Sequence, residues 1–152
     1  MKAVIQRVAH ASVVVDGAVV GSCGRGYMIL LGVAEGDTEQ DADLLCKKIV
    51  NLRIFPDAEG KMNLSIKDIN GEMLVISQFT LLANYRHGNR PDFLASAKPC
   101  EAERLYEYFK SIVSKEIARV EAGIFGAHME VSLLNDGPVT IVMDSEVLKK
   151  KK

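Results

Sequence analysis

No apolar run in this 152-residue chain approaches the roughly 20 residues that a helix needs to cross a bilayer. The opening Met1-Lys2-Ala3-Val4-Ile5-Gln6-Arg7 meets Gln6 and Arg7 before a signal-peptide core could form, so a cytoplasmic location without a membrane partner is expected. Cysteine is scarce. Cys23, Cys46 and Cys100 are an odd, widely spaced set without a CxxC pair, which excludes a disulfide framework and fits reduced thiols. Three histidines without HxH, HExxH or paired Cys/His spacing point to no built-in metal site, and no cofactor is expected. Basic charge is not in excess either. Lys149 to Lys152 supply four of the 19 positive charges against 20 acidic residues, which leaves the body of the chain at −5. That balance excludes a broad basic face for gripping a nucleic-acid backbone and leaves room only for a local patch. The GxSxG nucleophile elbow and the Walker A loop are missing as well.

What is present is the composition of a globular protein, with 48% hydrophobic and 26% charged residues. The length suits a single domain, taken as residues 1–145, with the basic residues 146–152 expected to form a disordered tail. Ala3, Ile5, Arg7, Ala9, Ala11, Val13 and Val15 alternate and predict one face of a long strand. Asp16-Gly17 predicts a hairpin turn into Ala18–Cys23, and the apolar Tyr27–Val33 predicts a buried central strand. A helix follows, with Asp37 and Gln40 at capping-box spacing and Ala42, Leu45, Cys46, Ile49 and Val50 on its apolar face. Met73–Leu82 predicts another strand. Pro99 opens a second helix carrying Leu105, Phe109, Ile112 and Val113, with Gly123 as its terminating residue. Strands over His128–Leu134 and Val139–Met143 close the chain. The order β-β-β-α-β-α-β-β implies a mixed α/β, α+β-like domain with both main helices on one side of its sheets.

Three places carry possible chemistry. Ser77-Gln78-Phe79-Thr80-Leu81 interrupts an apolar strand with hydroxyls and an amide that can bind a small polar group; the plainer reading is an edge strand with ordinary alternation. Asn135-Asp136-Gly137-Pro138-Val139-Thr140 reads as a hairpin loop, and since only about 5–6% of X-Pro bonds in folded proteins are cis, pattern leaves its geometry open. Arg7 is a charge on an apolar strand face, either an edge ion pair or a group directed into a site or interface. Cys100 at a helix start offers a thiol nucleophile, although no histidine is an evident partner.

Together these residues resemble the D-aminoacyl-tRNA deacylases, also called D-tyrosyl-tRNA deacylases. Ser77 to Leu81 and Asn135 to Thr140 look like the two signature motifs. Met1 to Val8, Arg53-Ile54-Phe55, Gly60-Lys61-Met62-Asn63 and Arg90-Pro91 add to a likeness spanning residues 1 to about 145. The resemblance implies a homodimer that hydrolyses the ester between a D-amino acid, or mischarged glycine, and the tRNA 3′ end without metal or organic cofactor. Ser77, Gln78, Phe79 and Thr80 would form the catalytic pocket. Gly137 and Pro138, in a cis peptide and reaching across the dimer, would reject L-amino acids. Arg7 would hold that loop, and Phe125 and Met129 would line the terminal adenine's pocket. A threonine without a base is a weak nucleophile, so backbone N–H groups near Phe79 and Thr80 and the ribose 2′-OH are the preferred agents. Alternatives are a non-catalytic RNA-binding module, a thiol esterase using Cys100, and a relative specialised for glycine or L-alanine mischarging.

Overall fold

A computed structural model, describing residues 1–150, is organised around the first strand. β1 (Lys2–Val15) runs 14 residues without glycine or proline and is rich in valine. Along one edge it pairs antiparallel with β8 (Glu130–Asp144), from Lys2 opposite Asp144 to Val14 opposite Glu130. Its other edge is divided. β3 (Gly26–Gly32) takes the first half and β2 (Ala18–Cys23) takes the second, after a turn in which Asp16 and Gly17 both have positive φ, 50° and 77°. β6 (Glu72–Ser77) lies parallel beside β3, and β7 (Val120–Ala122) parallel beside β6. A small hairpin of β4 (Phe55–Pro56) and β5 (Met62–Leu64) stands apart.

The sheet curls until β2 meets β7. The Ser22 N–H donates to Glu121 at 3.0 Å, and Gly21 lies so close to the Ala122 carbonyl that a Cβ would come within 2.5 Å of its oxygen. Alternation along the buried strands then serves two cores. Tyr27, Ile29, Leu31, Met73 and Val75 face α1 (Glu39–Val50) and α2 (Pro99–Val113). Met28, Leu74 and Ile76 face Val8, Ala11, Val13 and Cys23 inside the curl. The α/β architecture with both main helices on one side is the expected one.

Several local expectations are corrected. β1 does not keep one face: Ala3 and Ile5 belong to the helix-covered core, whereas Val8, Ala11 and Val13 belong to the inner one. The switch falls where the β1–β8 register shifts, around Val8. α1 is capped by Thr38, whose N–H donates to Asp41 at 2.9 Å, while Asp37 instead accepts the Met1 ammonium at 2.7 Å. The strand expected to reach Leu82 stops at Ser77, and Phe79–Leu82 form a single 3-10 turn. Gly32 permits this, since a Cβ there would lie 2.9 Å from the Gln78 carbonyl oxygen. α2 ends at Val113, and Gly123 follows a strand that pattern missed, β7. The two closing strands are one continuous strand, β8, with the Gly137–Pro138 segment inside it.

The expected tail is also partly ordered. Ser145–Lys149 form a short helix, α3, while Lys151 and Lys152 lie outside the described residues. Ser145 is buried, accepts from the Met1 ammonium at 2.8 Å and donates to Asp41 at 2.6 Å; Lys149 reaches the same carboxylate at 2.7 Å. Burial alone would raise the Asp41 carboxyl, but the bonds from Lys149, Ser145 and the Thr38 N–H outweigh it and hold the group well below the usual carboxylate range. A carboxyl depressed on folding stabilises fully above its unfolded pKa of about 4, and that contribution is lost as pH falls through the folded value. Urea unfolding should therefore show stability falling below about pH 4. Asp41→Asn should cost about 3 kcal/mol at pH 7 and flatten the acid limb of the profile.

Candidate active site

The turn after β6 builds one wall of a cleft of about 490 Å³. Ser77 ends the strand, the Gln78 N–H makes the last rung to the Leu31 carbonyl at 2.8 Å, and Phe79 turns outward with 56% of its surface exposed. Phe125 and Met129 line the same cleft. Phe125 is backed by Tyr106, ring centroids 6.0 Å apart, and Tyr106 is itself fixed by a 2.9 Å bond to the Val75 carbonyl. An aromatic ring and a thioether lining one cleft suit a flat heterocycle.

Thr80 does not line this cleft. Its hydroxyl accepts from the Gln78 side-chain amide, which leaves it without a base. The backbone is better placed for chemistry. Among the described residues, neither the Phe79 nor the Thr80 N–H has an acceptor, whereas Leu81 and Ala83 donate within the turn to Gln78 and Thr80. Two adjacent free donors at the mouth of a partly apolar cleft can stabilise an oxyanion.

Arg7, Gly137 and Pro138 form a second cluster outside the cleft lining. β8 advances from Asn135 to Thr140 while β1 advances only from Gln6 to Val8, so Asp136 to Val139 are thrown out of the ladder. Asn135 closes the neck, accepting from the Val139 N–H at 2.8 Å and donating to the Thr140 hydroxyl at 3.0 Å. Arg7, 8% exposed, donates from Nε to the Asp136 carbonyl at 2.7 Å and from Nη1 to the Ile54 carbonyl at 2.6 Å. Gly137 has φ +151° and a Cβ there would stand 2.7 Å from the Val139 backbone nitrogen, so both conformation and space require glycine. The Gly137–Pro138 peptide is cis, and both residues are exposed. The plain hairpin reading of this segment is thus replaced by a rigid outward loop.

The structure therefore brings Ser77, Gln78 and Phe79 together with Phe125 and Met129, and Arg7 with Gly137 and Pro138. Sequence reasoning missed Ser96, Ala102 and His128, which also line the cleft. No local signal marks them, because they arrive from a loop, a helix and a turn distant in sequence. Cys23 and Cys46 are buried, and burial first pushes both thiols up to about 11, while Cys100 is exposed and off the cleft. A larger hollow of about 700 Å³ beside Arg86 and Tyr85 contains none of the motif residues Ser77 to Thr80, and its Asp37 is committed to the Met1 ammonium.

The family model described as D-Tyr-tRNA(Tyr) deacylase matches residues 4–144. The D-aminoacyl-tRNA deacylase of Caldicellulosiruptor bescii is 54% identical over 146 residues, covering 96% of this chain and 98% of its own. That of Dehalococcoides mccartyi is 58% identical over 145 residues, 95% of each chain. Among solved structures, the c-Myc DNA Unwinding Element Binding Protein superposes with a TM-score of 0.90 at 41% identity, covering 95% of this chain and 98% of that one. A probable eukaryotic D-amino acid tRNA deacylase, with a TM-score of 0.79 at 16% identity over 93% and 97% of the two chains, shares the fold.

The geometry around Arg7 carries its own prediction. A lysine cannot bridge two carbonyls with one planar fork, so Arg7→Lys should lower stability by about 2–3 kcal/mol in urea unfolding. Hydrogen exchange at the Val139 amide should accelerate in the same variant.

Proposed function

The chain belongs to the D-Tyr-tRNA(Tyr) deacylase family, and from that premise we propose how its cleft hydrolyses the ester of a D-aminoacyl-tRNA. The carrying observation is the cleft that gathers Ser77, Gln78 and Phe79 with Phe125 and Met129. The terminal adenine of the tRNA 3′ end enters between Phe125 and Met129, and its ester carbonyl reaches the Phe79–Thr80 turn. Water attacks the carbonyl carbon. The tetrahedral oxyanion accepts from the backbone N–H groups of Phe79 and Thr80, and collapse breaks the bond to the ribose 3′ oxygen, which leaves with a proton. The ribose 2′-OH positions the water, which makes the reaction dependent on RNA. Gln78 orients the ester or that hydroxyl. The Thr80 hydroxyl, occupied by the Gln78 amide, has no base to activate it, which favours this account over attack by threonine.

Selection by chirality falls to the outward loop. In a homodimer, Gly137 and Pro138 of the partner subunit enter this cleft and meet the Cα of the bound amino acid, so an L side chain collides with backbone while a D side chain points to solvent. Selectivity arises by rejection, and it admits glycine, which has no side chain to reject. Two observations support the reading: the loop is exposed and absent from its own chain's cleft, and Arg7 holds it rigid. Arg86, His87 and Arg90, all exposed after the turn, supply the local basic contact to the tRNA end. No helix is long and apolar enough to span a membrane among the described residues, and a cytoplasmic site of action fits a tRNA substrate.

The test is hydrolysis of matched D- and L-tyrosyl-tRNA. Release of D-tyrosine with the L ester intact is expected; cleavage of both esters would remove the assigned role of Gly137 and Pro138, and cleavage of neither would favour a binding module. A 2′-deoxyadenosine terminus should be cleaved at least ~100-fold more slowly if the hydroxyl acts in the chemistry. Thiol alkylation of the folded chain should label Cys100 alone and leave the rate unchanged, because Cys23 and Cys46 are buried and the cleft holds no thiol.

A further inference from the structure

The loop that follows the catalytic turn comes back to hold it. Asn84 and Asp92 clamp the loop's neck, each N–H donating to the other's carbonyl at 2.8 and 2.9 Å, with the Asn84 amide on the Asp92 carboxylate at 2.9 Å. The chain then runs antiparallel to the residues just past β3. The Glu35 N–H donates to Ala95 at 2.9 Å, and the Ala97 N–H donates to Val33 at 3.0 Å. Ser96 sits between these two anchored residues, lines the cleft, and places its hydroxyl 3.3 Å from the Phe79 carbonyl. Phe93 meets the Phe79 ring edge-on, with centroids 5.0 Å apart at 74°. The same peptide is therefore approached by a hydroxyl at its oxygen and by an aromatic ring at the side chain before it.

The Phe79 carbonyl and the Thr80 N–H are opposite ends of one planar peptide unit, so fixing the oxygen fixes the direction of the N–H. The preceding unit is held in the same manner, by the Leu81 N–H on the Gln78 carbonyl at 3.3 Å. We propose that Ser96 is the positioning residue of this turn: its hydroxyl holds the Phe79 carbonyl and thereby aims the Thr80 N–H at the oxyanion. The inference rests on the deacylase reading above and assigns a role to a residue that neither motif contains. At 3.3 Å the contact is longer than the usual O–H···O separation of about 2.7–2.8 Å. Catalytic hydrogen bonds that are long in a free enzyme tighten when substrate is bound. Because the donor it aims is used by the transition state, its loss is felt in kcat and not in KM.

The experiment compares the wild type, Ser96→Ala and Ser96→Thr in steady-state hydrolysis of D-tyrosyl-tRNA, with the Thr80 amide followed by ¹⁵N–¹H NMR in the same proteins. In Ser96→Ala, kcat is expected to fall roughly tenfold or more, with KM changed less than about twofold. Ser96→Thr, which keeps a hydroxyl, restores most of the rate. The Thr80 amide resonance shifts or broadens in Ser96→Ala and returns in Ser96→Thr. An unchanged kcat in Ser96→Ala, or a loss that Ser96→Thr does not rescue, overturns the proposal, and so does a Thr80 amide indifferent to both substitutions. Turnover by the wild type reports on the deacylase reading separately. If the wild type cleaves nothing, that reading fails, and the amide resonance still decides whether Ser96 sets the peptide.

Discussion

The antiparallel pairing of β1 with β8 is the constraint on which the sheet and its outward loop depend. It spans nearly the full length of each strand, and it can do so only if the excess residues of β8 leave the ladder near Val8. That expulsion makes the Gly137–Pro138 loop. The same irregularity marks where β1 changes the core it faces, and Arg7 lies beside it. A guanidinium at this position is sheltered from water yet finds two backbone carbonyls, one on the loop and one at Ile54. Its burial is acceptable because both are strong acceptors held in fixed places. One register defect thus shapes the loop and seats its anchor.

The cleft depends on a different economy. On the proposed mechanism its acting groups are backbone amides released by the end of a strand, and side chains serve mainly to shape the walls. β6 cannot continue past Ser77 because the chain folds over Gly32, where the lack of a Cβ lets the Gln78 carbonyl and Leu82 settle. The next two N–H groups then fall outside both the sheet and the turn's own bonds. Neutral donors of this kind carry no titration of their own.

The broad architecture was legible because it is written in periodicity. Tyr27–Val33 and Met73–Ile76 are apolar on successive residues, as strands buried on both faces must be, and the helical spacing in α1 and α2 is regular. Apart from the α1 cap, where the local Thr38–Asp41 pair replaces Asp37 and Gln40, the differences in the elements turn on contacts distant in sequence. Nothing around Leu81 reports that Gly32 lies beneath the turn, so the apolar pattern extends the strand past its true end at Ser77. Val120–Ala122 is too short to show a period and exists only because β6 offers an edge. Residues 146–152 read as a basic tail, yet Asp41, a hundred residues earlier, gives Lys149 and the adjoining Ser145 a partner. The motif residues were legible by resemblance, whereas Ser96 and His128 were not, since a cleft's lining is assembled by topology.

The long separation along the chain between β1 and β8 also orders events in time. β1 is made first, and its pairing with β2 and β3 is local and can form early. Its other edge must wait for Glu130–Asp144, nearly a whole chain length later. During synthesis on the ribosome, a growing chain therefore carries fourteen residues of valine-rich strand with one side unpaired until almost the last residues emerge. The Arg7 side chain waits with it, because the Asp136 carbonyl arrives only with β8. The loop assigned to stereochemical choice is among the last pieces of the fold to find its place, and a nascent or truncated chain lacking β8 would expose the edge on which the whole sheet is built.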